Sequence, residues 1–175
     1  MSNYVTVAGT TMKNIRDCSF INLRKQFPCY EEFVLQEPIG ASGGFSTHVL
    51  NEMNEEEMLD KLKNKDLLVT PFYKKNISVN HHIVIYAEEI MVFPHSVQLI
   101  ERIDNKLQYC GGDYVAAQKL DGELQKAIYK QGKKIGVVLQ KMGYRSVLGI
   151  DYIILPDGEI VFLEINTRFQ ASTIL

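Results

Sequence analysis

The segment GIDYIILPDGEIVFLEINTRFQAS, residues 149–172, holds two runs of β-branched and aromatic residues on either side of Asp157-Gly158. Such runs favour a pleated, half-buried backbone, and Asp-Gly suits a two-residue type I′ turn. The expectation is a hairpin of strands 147–155 and 159–166 closed on that dipeptide, which sets Asp151 opposite Glu164. Because side chains alternate along a strand, Asn166 falls on the face of Glu164, and Arg168 follows if the extended run continues. Like charges in cross-strand register cost roughly 0.2–1 kcal/mol, and more when partly buried, so a positive group is expected between them. Carboxylate and amide oxygens without soft ligands favour magnesium or manganese over zinc. In the competing reading Asp151 faces solvent and Glu164 pairs with Arg168 or a lysine. Against it stand Ile150, Tyr152, Ile154, Val161, Leu163 and Ile165, which mark an interior hairpin where idle charge is costly.

Working outward, the longest helix is predicted over 121–142, with Leu124, Ala127, Ile128, Ile135, Val138, Leu139 and Met142 on one face, and Gly143 ending it. Lys126, Lys130, Lys133, Lys134 and Lys141 are its wet side. Strands are expected at 33–36, 47–50, 67–70, 78–86, 89–93 and 106–109, the last followed by a flexible Gly111-Gly112. Asn54 reads as the cap of a helix whose first turn carries Glu55, Glu56 and Glu57 at the positive end of its dipole. A strand at 4–8 and a short helix at 18–26 complete the pattern. Runs of strands broken by a few helices indicate an α+β fold with largely antiparallel sheets.

Between strands 33–36 and 47–50 lies Gly40-Ala41-Ser42-Gly43-Gly44, whose backbone N–H groups could wrap phosphate oxygens. No lysine precedes its Ser-Thr pair, so it is not a Walker loop, and no helix follows directly as a dinucleotide fingerprint needs. By itself the loop reads more simply as a plain mobile turn. Ser78, Asn80 and His82 share one face of their strand, whereas His81 and His82 point to opposite faces and cannot act as a metal pair. His95 and Gln98 stand near a pocket wall, with a surface histidine as the simpler reading of His95.

Composition narrows the classes. With 175 residues, 46% hydrophobic and 23% charged, the chain can bury a sizeable core, and a net charge of −2 offers no global attraction to nucleic acid or an acidic bilayer. Cys18, Cys29 and Cys110 are odd in number and lack ligand spacing, which reads as reduced thiols and a cytoplasmic chain. No apolar run approaches the ~18 residues of a membrane helix, and the N-terminus lacks a signal peptide. The chain stops on STIL just after a strong strand, as a piece cut from a longer protein would.

The order of strand, glycine loop, strand, short connector and final acidic hairpin resembles the ATP-grasp superfamily over about residues 33–175. The acidic residue, the hairpin, then Glu-x-Asn and a following Arg carry the resemblance, through Asp151, Glu164, Asn166 and Arg168. It is similar to biotin carboxylase-type enzymes, through NTRFQ, and to dipeptide and amino-acid ligases. The resemblance implies two α/β lobes with mostly antiparallel sheets gripping ATP between them, a small glycine-loop lobe at about 1–70 and a larger metal-site lobe at about 71–175. It implies that Asp151, Glu164 and Asn166 hold magnesium, with manganese as the alternative, against the ATP phosphates. Arg168 would stabilise the acyl-phosphate or the phosphoryl group in flight. Ser42, Gly43 and Gly44 would lie over the phosphates, Thr70, Pro71, Phe72 and Tyr73 would read adenine, and Ser78 would touch nucleotide or substrate. One position departs from the family: Gln36 stands where a phosphate-reaching lysine is usual, and a neutral amide supplies no charge.

The function so implied is an ATP- and magnesium-dependent ligase core that activates a carboxylate as an acyl-phosphate for attack by an amine or other nucleophile. No Ser-His-Asp or Cys-His set is evident, consistent with chemistry that rests on positioning and charge. Its partners would be small carboxylate and amine substrates and an N-terminal domain of a parent chain, with no nucleic acid and no membrane; a homodimer stays open. The alternative class is an inert ATP-binding or interaction module of the same fold, and a third reading is carboxylation of biotin.

Overall fold

A computed structural model describes residues 11–14, 18–37, 47–63, 65–170 and 172–173. The chain divides into two compact units, one formed by Ala8–Lys74 with Ile100–Tyr109 and the other by Lys75–Leu99 with Cys110–Leu175. The expected strand at 4–8 and the glycine loop with Ser42, Gly43 and Gly44 lie outside the described residues.

In the first unit, strands β1 (Thr11–Asn14), β2 (Phe33–Gln36), β3 (Thr47–Leu50) and β4 (Asp66–Pro71) pair antiparallel in the order β1-β4-β2-β3. Helices α1 (Phe20–Gln26) and α2 (Glu55–Lys61) supply apolar side chains to its core, where Leu23, Phe33, Leu35, Leu50 and Met58 are fully buried. Ser19 caps α1 through its side chain, which accepts from the Asn22 N–H at 3.3 Å. Asn54 holds the N-cap position of α2 as expected, but its side chain makes no cap bond there. Asn51 accepts from the Met53 and Asn54 N–H groups and opens a 3₁₀ turn, Glu52–Asn54, that leads into α2. The Asn54 side chain is turned inward to the Val49 carbonyl, 2.8 Å away, because it is buried and must satisfy its amide locally.

A strand missing from the sequence reading, β7 (Ser96–Ile103), forms a hairpin with β8 (Lys106–Asp113), which runs straight through Gly111-Gly112. The turn between them is Asp104-Asn105, with φ of 48° and 60°, so the two-residue type I′ geometry occurs here. Asp and Asn tolerate that region, but without a following glycine the signal is weak.

In the second unit, β5 (Ile77–Ile85) pairs with β6 (Ile90–Val92), with the start of β7 and with β9 (Val147–Ile154), and β9 pairs in turn with β10 (Ile160–Asn166), all antiparallel. Helix α4 (Gly122–Lys141), capped by the Asp121 carboxylate, packs over β5 and β6, preceded by the short α3 (Tyr114–Gln118), also absent from the sequence reading. Its buried stripe is Ile128, Gly132, Ile135 and Gly136. Val138 and Met142, expected on that face, are 57% and 76% exposed; the helix sits close where glycine allows, which turns the stripe toward Gly132 and Gly136. A Cβ on Gly136 would come within 2.9 Å of Ile90 Cγ2. The five helix lysines are exposed, as read.

The last hairpin departs from its expected turn in an instructive way. Gly158 N–H donates to the Leu155 carbonyl and Leu155 N–H to the Glu159 carbonyl, both at 2.9 Å, so the loop has three residues, Pro156-Asp157-Gly158, with Gly158 at φ 86°. That loop shifts the pairing by one position, to Ile160↔Ile154 and Phe162↔Tyr152. A β-bulge between Phe162 and Glu164 then restores the expected register, Glu164↔Asp151. Without the bulge, Glu164 would turn to the apolar side with Tyr152 and Phe162. Leu163 absorbs the extra residue and is 40% exposed, not interior.

Candidate metal and phosphate site

The two carboxylates meet on the face of the second unit's sheet opposite α4. Alternation sends Ile150, Tyr152 and Ile154 to the core beneath the helix and Asp151 the other way. Asp151 is nonetheless only 8% exposed, because amides from three neighbouring segments converge on it. Its Oδ1 accepts from Asn80 Nδ2 and, at 3.1 Å, from Gln98 Nε2, while its Oδ2 accepts from Asn166 Nδ2 at 2.8 Å. The same Asn166 nitrogen donates to Glu164 Oε1 at 2.8 Å. Burial pushes the Asp151 carboxyl up to about 7; the Asn80 amide works against that rise and the Glu164 charge adds to it.

A second layer holds these amides. Ser78 Oγ donates to Gln98 Oε1 at 2.6 Å, Asn80 Nδ2 to Gln170 Oε1 at 3.1 Å, and Ser172 Oγ to Asn80 Oδ1 at 3.1 Å. Gln170 and Ser172 carry no site assignment from the sequence, which places Gln98 only near a pocket wall. Asn80 joins because β5 and β9 pair in the register Asn80↔Asp151, which only the tertiary fold sets. For Gln170 a signal did exist: a glycine inside a strand marks close approach, and a Cβ on Gly149 would lie 1.5 Å from Gln170 Oε1. Gly149→Ala is therefore expected to displace the Gln170 carboxamide and destabilise the chain by about 1–3 kcal/mol. The check is a thermal melt together with loss of the Gln170 side-chain amide resonances from their native positions.

The donor set fits a hard divalent ion. The Asn166 amide N–H stands between the two acids, where a cation would stand, and rotating that carboxamide would present its oxygen at the same point beside Asp151 Oδ2 and Glu164 Oε1. Among the described residues no cluster of three or more His, Cys, Asp or Glu side chains is placed to hold a metal. Two carboxylates and an amide suit magnesium or manganese completed by phosphate and water, not an all-protein cage.

Arg168 does not continue the strand. β10 ends at Asn166, the Arg168 N–H folds back to the Asn166 carbonyl at 2.8 Å, and the exposed guanidinium donates to the Phe169 carbonyl at 3.2 Å. In the first unit, Gln36 ends β2 opposite Thr47 and Leu68, and Thr70 and Pro71 end β4. The Phe72 N–H donates to the Glu32 carbonyl at 2.9 Å, and the Tyr73 ring meets Tyr30 edge-on at 5.4 Å. Arg102 lies 6.0 Å from the Phe72 ring centre and pairs with Glu32 at 2.8 Å, so this connector is held on both sides.

The pattern of the ATP-grasp domain matches residues 21–172. The chain is 29% identical over 150 residues to the [butirosin acyl-carrier protein]–L-glutamate ligase of Niallia circulans, covering 82% of this chain and 34% of that protein. Among solved structures it is similar to the carboxyaminoimidazole ribonucleotide synthase of Aspergillus clavatus complexed with ATP (TM-score 0.66, 17% identity, 95% of this chain and 42% of that one). It is also similar to the VanG D-Ala:D-Ser ligase of Enterococcus faecalis (TM-score 0.67, 15% identity, 93% and 48%). The chain thus spans about a third of the length of the curated relative, and the two structures share its fold. No helix among the described residues is long and apolar enough to cross a membrane.

Proposed function

Because this chain belongs to the ATP-grasp domain family, we propose that it is the ATP-binding core of a ligase that activates a carboxylate as an acyl-phosphate and passes the acyl group to an amine. The observation that carries this reading is the buried Asp151 paired with the partly buried Glu164, with the Asn166 carboxamide between them. In this reading Asp151, Glu164 and Asn166 hold magnesium, or manganese, which when bound neutralises the phosphate oxygens. Asn80 and Gln98 fix the direction of Asp151 so that its outer oxygen is presented without a search of rotamers. Arg168, on the chain leaving β10, supplies a cation for the charge that develops during transfer. Thr70, Pro71, Phe72 and Tyr73 meet the adenine, Ser42, Gly43 and Gly44 close over the phosphates, and Ser78 orients Gln98. Gln36 gives a hydrogen bond where its relatives would supply charge.

The curated relative's name joins L-glutamate to an acyl-carrier protein, so amino acids, glutamate first, and a carrier protein are the substrates to try. A second reading, an ATP-binding module without turnover, draws on Gln36. Calorimetric titration with ATP, with and without magnesium, tests the first step. Magnesium is expected to tighten binding by about tenfold or more, and Asp151→Ala with Glu164→Ala to remove that gain. Binding indifferent to both would refute the metal assignment. Phosphate release by the longer parent protein, driven by one amino acid of a panel, separates ligase from inert module.

A further inference from the structure

The chain that leaves β10 is fastened at both ends of a short exposed stretch. Its near end is Asn166, the last residue of the strand, whose carbonyl accepts from the Arg168 N–H at 2.8 Å. At the far end Gln170 and Thr173 close on each other: the Gln170 N–H donates to Thr173 Oγ1 at 2.8 Å, and the Thr173 N–H to the Gln170 carbonyl at 3.0 Å. Residues 167–169, with Arg168 in the middle, are exposed and span the gap. Arg168 donates to the carbonyl of its neighbour Phe169, a contact that moves with the stretch itself. Where the guanidinium stands therefore depends on how the two ends are held.

The far end is held from three sides, all within the second unit. From β9, Gly149 leaves the space that the Gln170 carboxamide fills, since a Cβ there would lie 1.5 Å from Oε1. From β5, Asn80 donates to that oxygen at 3.1 Å and accepts from Ser172 Oγ at 3.1 Å. From α3, the Tyr114 hydroxyl donates to the Ser172 carbonyl at 2.7 Å, the two residues lying 58 apart in sequence. Ser172 is buried, and a buried carbonyl that loses its donor is costly. Asn80 and Gly149 belong to the strands that frame the acids. Tyr114 comes from outside the sheet, so its hydroxyl can be removed without deleting a donor to Asp151.

We propose that Tyr114 is a positioning residue for Arg168: by tying down Ser172 it pins the far end of the exposed stretch and limits the places the guanidinium can occupy. The effect is entropic. A stretch of three residues pinned at both ends samples few backbone states, so little freedom is lost when the cation meets a phosphoryl group. The use of Arg168 on phosphate rests on the ligase reading; the pinning itself does not.

Two measurements on the chain test the two halves separately. Without nucleotide, Tyr114→Phe is expected to lower the amide heteronuclear NOE of residues 167–169 while that of β10 stays unchanged. With magnesium present, calorimetric titration should show Arg168→Ala weakening ATP binding by at least about tenfold and leaving ADP binding unchanged, because ADP lacks the γ-phosphoryl group. Tyr114→Phe should weaken ATP binding by about three- to tenfold, again sparing ADP, and cost nothing further in the double variant with Arg168→Ala. Should Tyr114→Phe not fold, Thr173→Val, which deletes the acceptor of the Gln170 N–H, is read in the same way. A Tyr114→Phe loss that is equal for ATP and ADP, or that adds to the loss from Arg168→Ala, would mark Tyr114 as merely structural and overturn the proposal. So would an unchanged NOE. An Arg168→Ala variant that binds ATP as the unaltered chain does would overturn the phosphate role of Arg168 in the ligase reading, and the proposal with it, whatever the NOE shows.

Discussion

Glu164→Gln is expected to make the ion-free protein more stable at pH 8 and at the same time to weaken manganese or magnesium binding by at least about tenfold. The carboxamide keeps the acceptor that Asn166 Nδ2 uses and removes the like charge that faces Asp151. Relief of a cross-strand like-charge pair contributes up to about 1 kcal/mol, or roughly 2–4 °C in Tm for a chain of this size. The pH dependence has a definite sign. Asp151 binds its proton up to about 7 in the folded chain, against 3.8 as its ordinary value, so between those values folding takes up a proton. Stability on this account falls as pH rises through that window. Part of the rise is due to Glu164, so the advantage of the variant should widen from pH 4 to pH 8. His81 titrates across an overlapping range with the opposite sign, since burial lowers it to about 4, but it contributes equally to both proteins and cancels in the difference. Melts at several pH values, paired with manganese titration, provide the check. A variant that loses stability and ion affinity together would show that Glu164 is merely structural.

Asn80→Leu should cost about 2–4 kcal/mol at pH 8, a fall of roughly 4–16 °C in Tm. Leucine keeps the branched outline of asparagine but carries bulkier methyl groups, so overpacking adds to the loss at both pH values and the pH-dependent part is the polar one. That part arises because Asn80 is 0% exposed and serves three partners: it donates to Asp151 and Gln170 and accepts from Ser172. Its removal leaves Asp151 Oδ1 with Gln98 alone and strands the Ser172 hydroxyl and the Gln170 oxygen in a buried place. Below pH 4 Asp151 is neutral and the penalty should shrink, because an uncharged carboxyl loses less with its donor. A loss that is small and the same at pH 4 and pH 8 would remove Asn80 from the electrostatics of the site.

Much of this architecture was legible because its signals are local. The β-favouring runs flanking Asp157-Gly158 announce a hairpin, and the helical spacing of Leu124, Ile128 and Ile135 announces α4. The strand β7 was not legible: in Ser-Val-Gln-Leu-Ile-Glu-Arg-Ile neither face is cleanly apolar, and only pairing with β5 and the turn at Asp104-Asn105 makes it a strand. The position of α4's buried stripe was missed for a related reason. Hydrophobic spacing ranks Val138 and Met142 as well as Ile135, whereas the approach of the helix at Gly132 and Gly136 decides which side is covered. Of the site, Asp151, Glu164 and Asn166 were read from spacing, while Gln98, Gln170 and Ser172 reach Asp151 and Asn80 from places remote in sequence.

The pairing of Asp151 with Glu164 shows where the two levels divide. Sequence by itself determined that two strands must turn back on each other near Asp157 and that an acid on each would share a face, because alternation and turn chemistry act over a few residues. Which residue faces which was decided by the tertiary structure. The three-residue loop moved the register by one, and the bulge at Leu163 moved it back. Because β9 is buried along its whole length, its partner accepts one phase, with Phe162 on the apolar side and Glu164 on the amide side, and the backbone takes up the extra residue to satisfy both.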